Sequence, residues 1–199
     1  MSQKPVRTHK YLIIPAMVFI MLFSLLAANS TSASSRLEFP RGYPNLARFA
    51  TFNASLNRFN AGDLVADLST PDNVQAQNVA EIIQRTRPQV LLVNEFDYDD
   101  QGGAYDSMAA QLFQDNYLSV GQNDAEPIEY PYRFVMPSNT GIPSGRDLNK
   151  DGAIGGPDDA FGFGYFPGQY GMAVFSQFPI DYPRARTFQH FLWKDMPFA

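Results

Sequence analysis

Apolar and polar residues alternate over residues 47–55, ARFATFNAS, and this period of two predicts a β-strand. A loop containing Gly62 is expected to follow the strand. Residues 73–88 then show a helical period, and Thr70 is the expected N-cap, with Pro71 at the first helical position. The apolar face of this helix consists of Ala76, Val79, Ala80 and Ile83.

A continuous apolar run, VLLV at residues 90–93, begins two residues after Pro88, which ends the helix. Such runs are typical of strands buried on both faces of a parallel sheet, so the sequence predicts a strand–helix–strand unit. Parallel strands end at the same edge of a sheet, where ligands bind in folds of this class. Asn53 and Glu95 are therefore expected to meet at that carboxyl edge.

The remaining elements are shorter and are separated by a long connection. Two further strands are predicted at residues 171–180 and 186–193. Residues 136–171 are rich in Gly and Pro, and connections of this length are usually functional or ordered by a metal. Within them, the aromatic run at residues 161–170 is expected to pack on the sheet, and a binding lip is the alternative. Residues 104–118 predict a second amphipathic helix, which would bury Met108, Leu112 and Phe113.

The N-terminus has the composition of an export signal. The first ten residues contain three basic residues and no acid, and an apolar run of eighteen residues follows, from Tyr11 to Ala28. A run of this length also suffices to span a bilayer, so an uncleaved membrane anchor is the alternative. We therefore predict a signal peptide or membrane anchor at residues 1–33 and one exported domain, secreted or periplasmic, at residues 34–199.

The composition restricts the chemistry of this domain. The chain contains no Cys, which excludes disulfides, thiol catalysis and zinc bound by Cys. His190 is the only His outside the predicted signal, and we expect a structural or surface residue of a strand instead of a catalytic acid or base. Without the signal, 12 of the 15 basic residues remain against 20 acidic ones, a net charge of −8. This acidic balance disfavours stable binding of nucleic acid.

Three segments carry a resemblance to a known family. RFATFN, RPQVLLVNEFD and GMAVFSQFPI, in this order, resemble the first half of the endonuclease/exonuclease/phosphatase superfamily. The resemblance covers about residues 46–185. It implies a DNase I-like fold, an α/β sandwich of two packed β-sheets with outer helices.

The resemblance also implies a metal site. Asn53 would help to hold the phosphate and the metal, and Glu95 would be a ligand of Mg²⁺ or Mn²⁺, while Asp97 occupies a position that is often acidic in the family. Mg²⁺ takes a few hard oxygen ligands and keeps several waters, so one carboxylate and a substrate phosphate can anchor it. In the alternative interpretation, Glu95 is a solvated strand end and Asn53 caps a turn.

The chain departs from the family after residue 185. The family completes its site with an Asp-x-Asn motif and a final Asp-His pair, which orient the attacking water and the phosphate, and neither follows in this sequence. The resemblance therefore predicts the amino-terminal part of the family's domain, which we expect to be inactive by itself.

A second metal signal lies at residues 147–158, DLNKDGAIGGPD, which follow the pattern of a calcium-binding loop. The last position is Asp instead of the usual Glu, and no EF-hand helices flank the loop, so an acidic turn without metal is the alternative. The predicted Ca²⁺ ligands are the side chains of Asp147, Asn149, Asp151 and Asp158 and the carbonyl of Ala153.

Two functions are consistent with these observations. The first is an exported metal-dependent phosphoesterase, of nuclease or phosphatase type, whose phosphate-ester substrate the fold leaves open. The second is a non-catalytic, calcium-ordered secreted binding module. In both cases membrane contact is expected only through residues 11–28, where these are retained.

Overall fold

A parallel strand–helix–strand unit forms the centre of the fold, as the sequence predicts. The structure is a computed structural model that describes residues 46–198, so the predicted signal or anchor lies outside the described residues. One four-stranded sheet has the order β1, β2, β4, β3, in which β1 and β2 are parallel and β4 is antiparallel to both of its neighbours. The strands are β1 Phe49–Leu56, β2 Val90–Phe96, β3 Tyr132–Val135 and β4 Met172–Ser176.

The helices are short apart from the one that connects β1 to β2. None of the helices in the described part of the chain is long and apolar enough to cross a membrane. A π-helical turn at Gln114–Leu118 continues the third α-helix. The α-helices are α1 Asp63–Leu68, α2 Val74–Thr86 and α3 Met108–Phe113, and 3₁₀ turns lie at Pro157–Asp159, Tyr182–Arg184 and Trp193–Asp195.

The start of α2 differs from the prediction. Asn73, not Thr70, is the N-cap, and its side chain accepts a hydrogen bond from the Ala76 N–H at 3.0 Å. Thr70 instead donates to the Asp72 carboxylate. The predicted loop after Gly62 contains α1, a helix of six residues that buries Leu64 and Leu68. Six residues are too few to show a helical period in the sequence.

The helices cover one face of the sheet. The predicted face of α2 is confirmed, because all four of its apolar residues are buried. Leu91 and Val93 of β2 are buried, whereas Val90 and Leu92 are half-buried, so the expectation of burial on both faces is wrong. Leu92 lies on the other face, in an open groove of about 430 Å³.

This arrangement is a mixed α/β fold with a four-stranded sheet and few helices, consistent with part of a DNase I-like fold. Within residues 46–198 there is one sheet, so the second sheet of the implied sandwich is not among the described residues. The expectation that the aromatic run at residues 161–170 packs on the sheet is wrong for Phe163 and Tyr165, which are 51% and 57% exposed.

The C-terminal predictions are only partly correct. The predicted strand 171–180 is present but shorter, and β3 was not predicted because four residues carry too little pattern. The predicted strand 186–193 is wrong, since no described strand pairs with it. Side chains hold this segment instead: Gln189 Nε2 donates to the Ser138 carbonyl and Asn139 Nδ2 to the Gln189 carbonyl, both at 3.0 Å.

The predicted second helix is also shorter than expected. It begins after Ser107, whose hydroxyl accepts from the Ala110 N–H at 3.2 Å. Asp99 accepts the N–H groups of Met108 and Ala109, both at 2.9 Å, so a carboxylate from the loop after β2 fixes the start of α3. Phe113 is buried as predicted, whereas Met108 and Leu112 are half-buried.

Gln84, on the buried side of α2, joins this helix to the π-helical turn. Only 1% of the residue is exposed. Its amide nitrogen donates to the carbonyl of Val120 at 2.7 Å and to that of Leu118 at 3.0 Å, and its carbonyl accepts the Gln122 N–H at 3.0 Å. The buried amide therefore adds hydrogen bonds to three backbone groups at and after the end of the π-helical turn.

We predict that Gln84→Met destabilises the fold even though the side-chain volume is conserved. The substitution removes the hydrogen bonds of a buried amide and leaves the Gln122 N–H without this acceptor, so the free energy of unfolding should fall by about 1–3 kcal/mol in urea titrations. The control is Gln77→Met on the same helix, which removes one half-exposed hydrogen bond to the Pro71 carbonyl and should cost less than about 1 kcal/mol. Equal losses of stability in the two variants would contradict the structural role of the Gln84 amide.

Candidate active site

The carboxyl edge of β1 and β2 contains a β-bulge. The two strands run in step from Phe49 opposite Val90 to Asn53 opposite Asn94, and pairing resumes with Leu56 opposite Phe96. Two residues of β1, Ala54 and Ser55, therefore oppose the single residue Glu95 of β2. Bulges bend a strand and change the direction of side chains, and they are frequent beside active sites.

The backbone is left-handed on both sides of this bulge. Ser55 has φ 49° and Glu95 has φ 55°. This conformation costs a residue other than Gly about 1–2 kcal/mol. In regular alternation Glu95 would follow Leu91 and Val93 into the core, but Phe96 is fully buried in its place. The left-handed residue thus keeps a carboxylate out of the core at the end of a buried strand.

Glu95 forms hydrogen bonds with both residues of β1 that flank Ala54. Asn53 Nδ2 donates to Glu95 Oε1 at 2.8 Å, and Ser55 Oγ donates to Glu95 Oε2 at 3.2 Å. The Ser55 N–H donates to Asn53 Oδ1 at 3.1 Å, which fixes the orientation of the amide. The structure therefore brings Asn53 and Glu95 together as expected, while their roles in metal binding and catalysis stay predictions.

Gln75 of α2 supports the bulge from the neighbouring helix. Its Nε2 donates to the Ser55 carbonyl at 2.7 Å and is 3.3 Å from the Ala54 carbonyl. These carbonyls belong to the residues that the bulge takes out of regular pairing. Gln75 and Ser55 were both missed in the sequence, because neither local period nor composition distinguishes them from ordinary polar residues.

Asp97 has a different environment from Glu95. It is 5% exposed, and its oxygens accept the N–H groups of Arg58 at 2.6 Å and Tyr170 at 3.0 Å. Burial raises the pKa of Asp97, and the two backbone hydrogen bonds oppose that shift. Both oxygens thus serve to hold two loops at the end of β2, and a metal-binding role for Asp97 stays a prediction.

The pair of Asn53 and Glu95 fits a Mg²⁺ or Mn²⁺ ion that has few protein ligands. Each Glu95 oxygen accepts one hydrogen bond, which leaves lone pairs for a metal, and the carboxyl group is not buried. Within residues 46–198, no group of three or more His, Cys, Asp or Glu side chains could hold a metal ion. A metal here would depend on one carboxylate, water and substrate oxygens, as Mg²⁺ commonly does.

The predicted calcium loop is ordered by its own hydrogen bonds. Asp147 accepts the N–H groups of Asp151 at 3.1 Å and Gly152 at 3.0 Å, and Asp151 accepts the Ala153 N–H at 2.8 Å and the Asn149 amide at 2.9 Å. Asp158, the predicted closing ligand, is exposed. The structure does not gather these carboxylates into a metal-binding group, so the calcium role stays a prediction.

Asp159, which lies one residue beyond the calcium-loop pattern, closes this loop. The residue is 2% exposed, and its carboxylate accepts the N–H groups of Leu148 at 2.7 Å and Gly155 at 2.8 Å. The hydrogen bond from Gly155, followed by that from Leu148, lowers the pKa of Asp159. The buried Asp159 carboxylate therefore orders the loop through hydrogen bonds to its backbone, a role that the sequence pattern assigned to a bound cation.

The comparisons with known proteins agree with the sequence resemblance. The model of the Endonuclease/Exonuclease/phosphatase family matches residues 50–199, which include both Asn53 and Glu95. No curated protein and no solved structure matches the chain.

We predict that Glu95→Gly gives a more stable protein than Glu95→Ala. Both variants lose the carboxylate, but Gly adopts φ 55° without the steric cost, so it should be favoured by about 1 kcal/mol in urea unfolding. Asn94 is the control, since its φ is not left-handed, and there the Ala variant should be the more stable. If the Ala variant is also the more stable one at position 95, the left-handed conformation of Glu95 is wrong.

For the loop at residues 147–158, the calcium hypothesis predicts that millimolar Ca²⁺ raises the melting temperature and slows proteolysis of residues 140–165. Binding to the folded state alone would contribute about 2.7 kcal/mol at a hundredfold excess over Kd. Asp151→Ala should abolish both effects, and Asp115→Ala, at an exposed acid in the π-helical turn, should leave them unchanged. If Ca²⁺ changes neither the melting temperature nor the proteolysis of the native protein, the calcium hypothesis is wrong and the loop is an acidic turn without metal.

Proposed function

Since the chain belongs to the Endonuclease/Exonuclease/phosphatase family, we propose that it is an exported, metal-dependent phosphoesterase of nuclease or phosphatase type. The family establishes the class of hydrolase, and its enzymes generally use divalent metals. The observation that carries the proposal is the hydrogen bond of 2.8 Å between Asn53 and Glu95 at the carboxyl edge of the sheet. The substrate is a phosphate ester whose class the fold leaves open.

In this proposal Glu95 is the protein's metal ligand, and Asn53 orients it. A bound Mg²⁺ or Mn²⁺ would supply Lewis-acid chemistry, polarising the phosphoryl oxygen. One hydrogen of Asn53 Nδ2 is directed to Glu95, and the second remains available for a phosphate oxygen at the same edge. Ser55 holds the other Glu95 oxygen, so the carboxylate is oriented before any ligand arrives.

We further propose that these 199 residues bind metal with little hydrolysis of their own. The Asp-x-Asn motif and the Asp-His pair, which the resemblance assigns to the water and the phosphate, do not follow residue 185. We expect hydrolysis in a form of the protein that contains the Asp-x-Asn motif and the Asp-His pair. The basic N-terminus and the apolar run of residues 11–28 support export, with cleavage or retention as a membrane anchor.

We predict that Glu95→Gln weakens Mn²⁺ binding by about a hundredfold or more, because loss of a direct ligand should exceed the 10–100-fold effect of losing a supporting residue. Asn53→Ala should weaken binding by about tenfold on the same basis. Isothermal titration calorimetry on the 199-residue chain measures both effects and needs no turnover.

Glu126→Gln is the matched control for this titration, because it makes the same chemical change at an exposed site in the loop before β3. It should leave Mn²⁺ binding unchanged. Native affinity in Glu95→Gln, or equal losses in Glu95→Gln and Glu126→Gln, would refute the assignment of the metal site. In a form of the protein that carries the later motifs, Glu95→Gln should also slow phosphodiester hydrolysis by about a hundredfold or more.

A further inference from the structure

Gln75, the second residue of α2, is exposed, and yet its side chain makes contacts that are distant along the chain. Its Nε2 donates to the Ser55 carbonyl at 2.7 Å and lies 3.3 Å from the Ala54 carbonyl. Gln77 of the same helix makes a local contact instead, since its amide donates to the Pro71 carbonyl at 2.9 Å. Ordering an exposed Gln side chain costs conformational entropy, so the reach of Gln75 to β1 calls for a physical reason.

Ser55 connects Gln75 to both residues of the candidate metal site. Its Oγ donates to Glu95 Oε2 at 3.2 Å, and its N–H donates to Asn53 Oδ1 at 3.1 Å. Its backbone is left-handed, with φ 49°, a conformation that persists in a Ser only where neighbouring contacts enforce it. The hydrogen bond from Gln75 to the Ser55 carbonyl is one of these contacts, so its loss should loosen the hold of Ser55 on Glu95.

The start of α2 is a rigid support for this hydrogen bond. Asn73, the N-cap, donates its N–H to the Tyr117 hydroxyl at 3.1 Å and its side-chain amide to Asp67 at 3.2 Å. Ala76, on the other side of Gln75, is fully buried. The Gln75 backbone is therefore fixed by its neighbours, and its side chain can hold the bulge at a constant distance from the helix.

The orientation of a carboxylate matters for metal binding because its lone pairs must be directed at the ion. Residues that bond to a metal ligand fix this orientation, and their loss typically weakens metal binding by about 10–100-fold. Asn53 and Ser55 bond directly to the Glu95 carboxylate, one to each oxygen. Gln75 lies one step further out, because it contacts the backbone of Ser55.

We propose that Gln75 is a positioning residue of the metal site. Its amide holds the Ser55 carbonyl, and Ser55 in turn holds the Glu95 carboxylate in the orientation that a divalent metal requires. This inference rests on the proposed function. It makes the metal affinity of the β1–β2 edge depend on α2, a helix that contributes neither Asn53 nor Glu95.

Mn²⁺ titration of Gln75→Met in the 199-residue chain tests the proposal. Met keeps the length and helix propensity of Gln but has no donor for the two carbonyls. The Mn²⁺ affinity measured by isothermal titration calorimetry should fall by about tenfold, the lower end of the range for residues that support a metal ligand. The matched control is Gln77→Met, which removes the contact to Pro71 and should keep the native affinity.

A double-mutant cycle with Ser55→Ala separates positioning from a purely structural role. Ser55→Ala removes the hydroxyl that bonds Glu95 and should itself weaken Mn²⁺ binding by about tenfold. Adding Gln75→Met should then weaken binding little further, to about tenfold in total instead of the hundredfold loss of two independent effects. The effect of Gln75→Met on unfolding in urea should be the same in both backgrounds, because the carbonyl at position 55 remains.

Hydrogen exchange of the Ser55 N–H tests the hold of Gln75 on the bulge without metal. This N–H donates to Asn53 Oδ1, and its exchange should accelerate by about fivefold in Gln75→Met, the factor that corresponds to one hydrogen bond, but not in Gln77→Met. Unchanged exchange, native Mn²⁺ affinity in Gln75→Met, or a hundredfold loss in the double variant would overturn the role of Gln75 and leave Glu95 as the metal ligand. Absence of Mn²⁺ binding in the native chain would instead refute the proposed function, and the positioning role with it.

Discussion

The extra residue that sets Ala54 and Ser55 of β1 against Glu95 of β2 is the constraint on which the candidate site depends. Without it, Glu95 would continue the alternation of Leu91 and Val93 into the core, where an unpaired charge is unfavourable. The bulge keeps the carboxylate beside Asn53, and Phe96 takes the buried position. A strand can therefore end in a carboxylate because the backbone changes direction one residue before the core closes.

Two left-handed residues and a displaced pair of carbonyls are unfavourable for folding, and the surrounding structure compensates for them. Gln75 of α2 donates to the carbonyls that the bulge leaves unpaired, and Ser55 bonds both Asn53 and Glu95. Asp97 then ties the loop after β1 to the loop before β4. Strain of this kind persists where neighbouring contacts enforce it, and it is frequent at functional sites.

Much of the central unit could be predicted from the sequence, because its signals are periodic. The alternation of β1, the apolar face of α2 and the run VLLV together place Asn53 and Glu95 at one edge. The bulge itself leaves no such signal, since its partners are distant along the chain. The cap at Asn73 and the missing strand at residues 186–193 show the same limit, because the choice of a cap and the pairing of a strand both depend on tertiary contacts that a local pattern does not contain.

The central claim is that Glu95, held by Asn53 and Ser55, is where this protein binds a divalent metal. Paramagnetic broadening of backbone amide signals by sub-stoichiometric Mn²⁺ tests this most directly, because the effect falls steeply with distance from the ion. The account predicts that the first signals to broaden are those of residues 53–56 and 94–96. Broadening that begins at residues 147–158, or that shows no preference for either region, would contradict it.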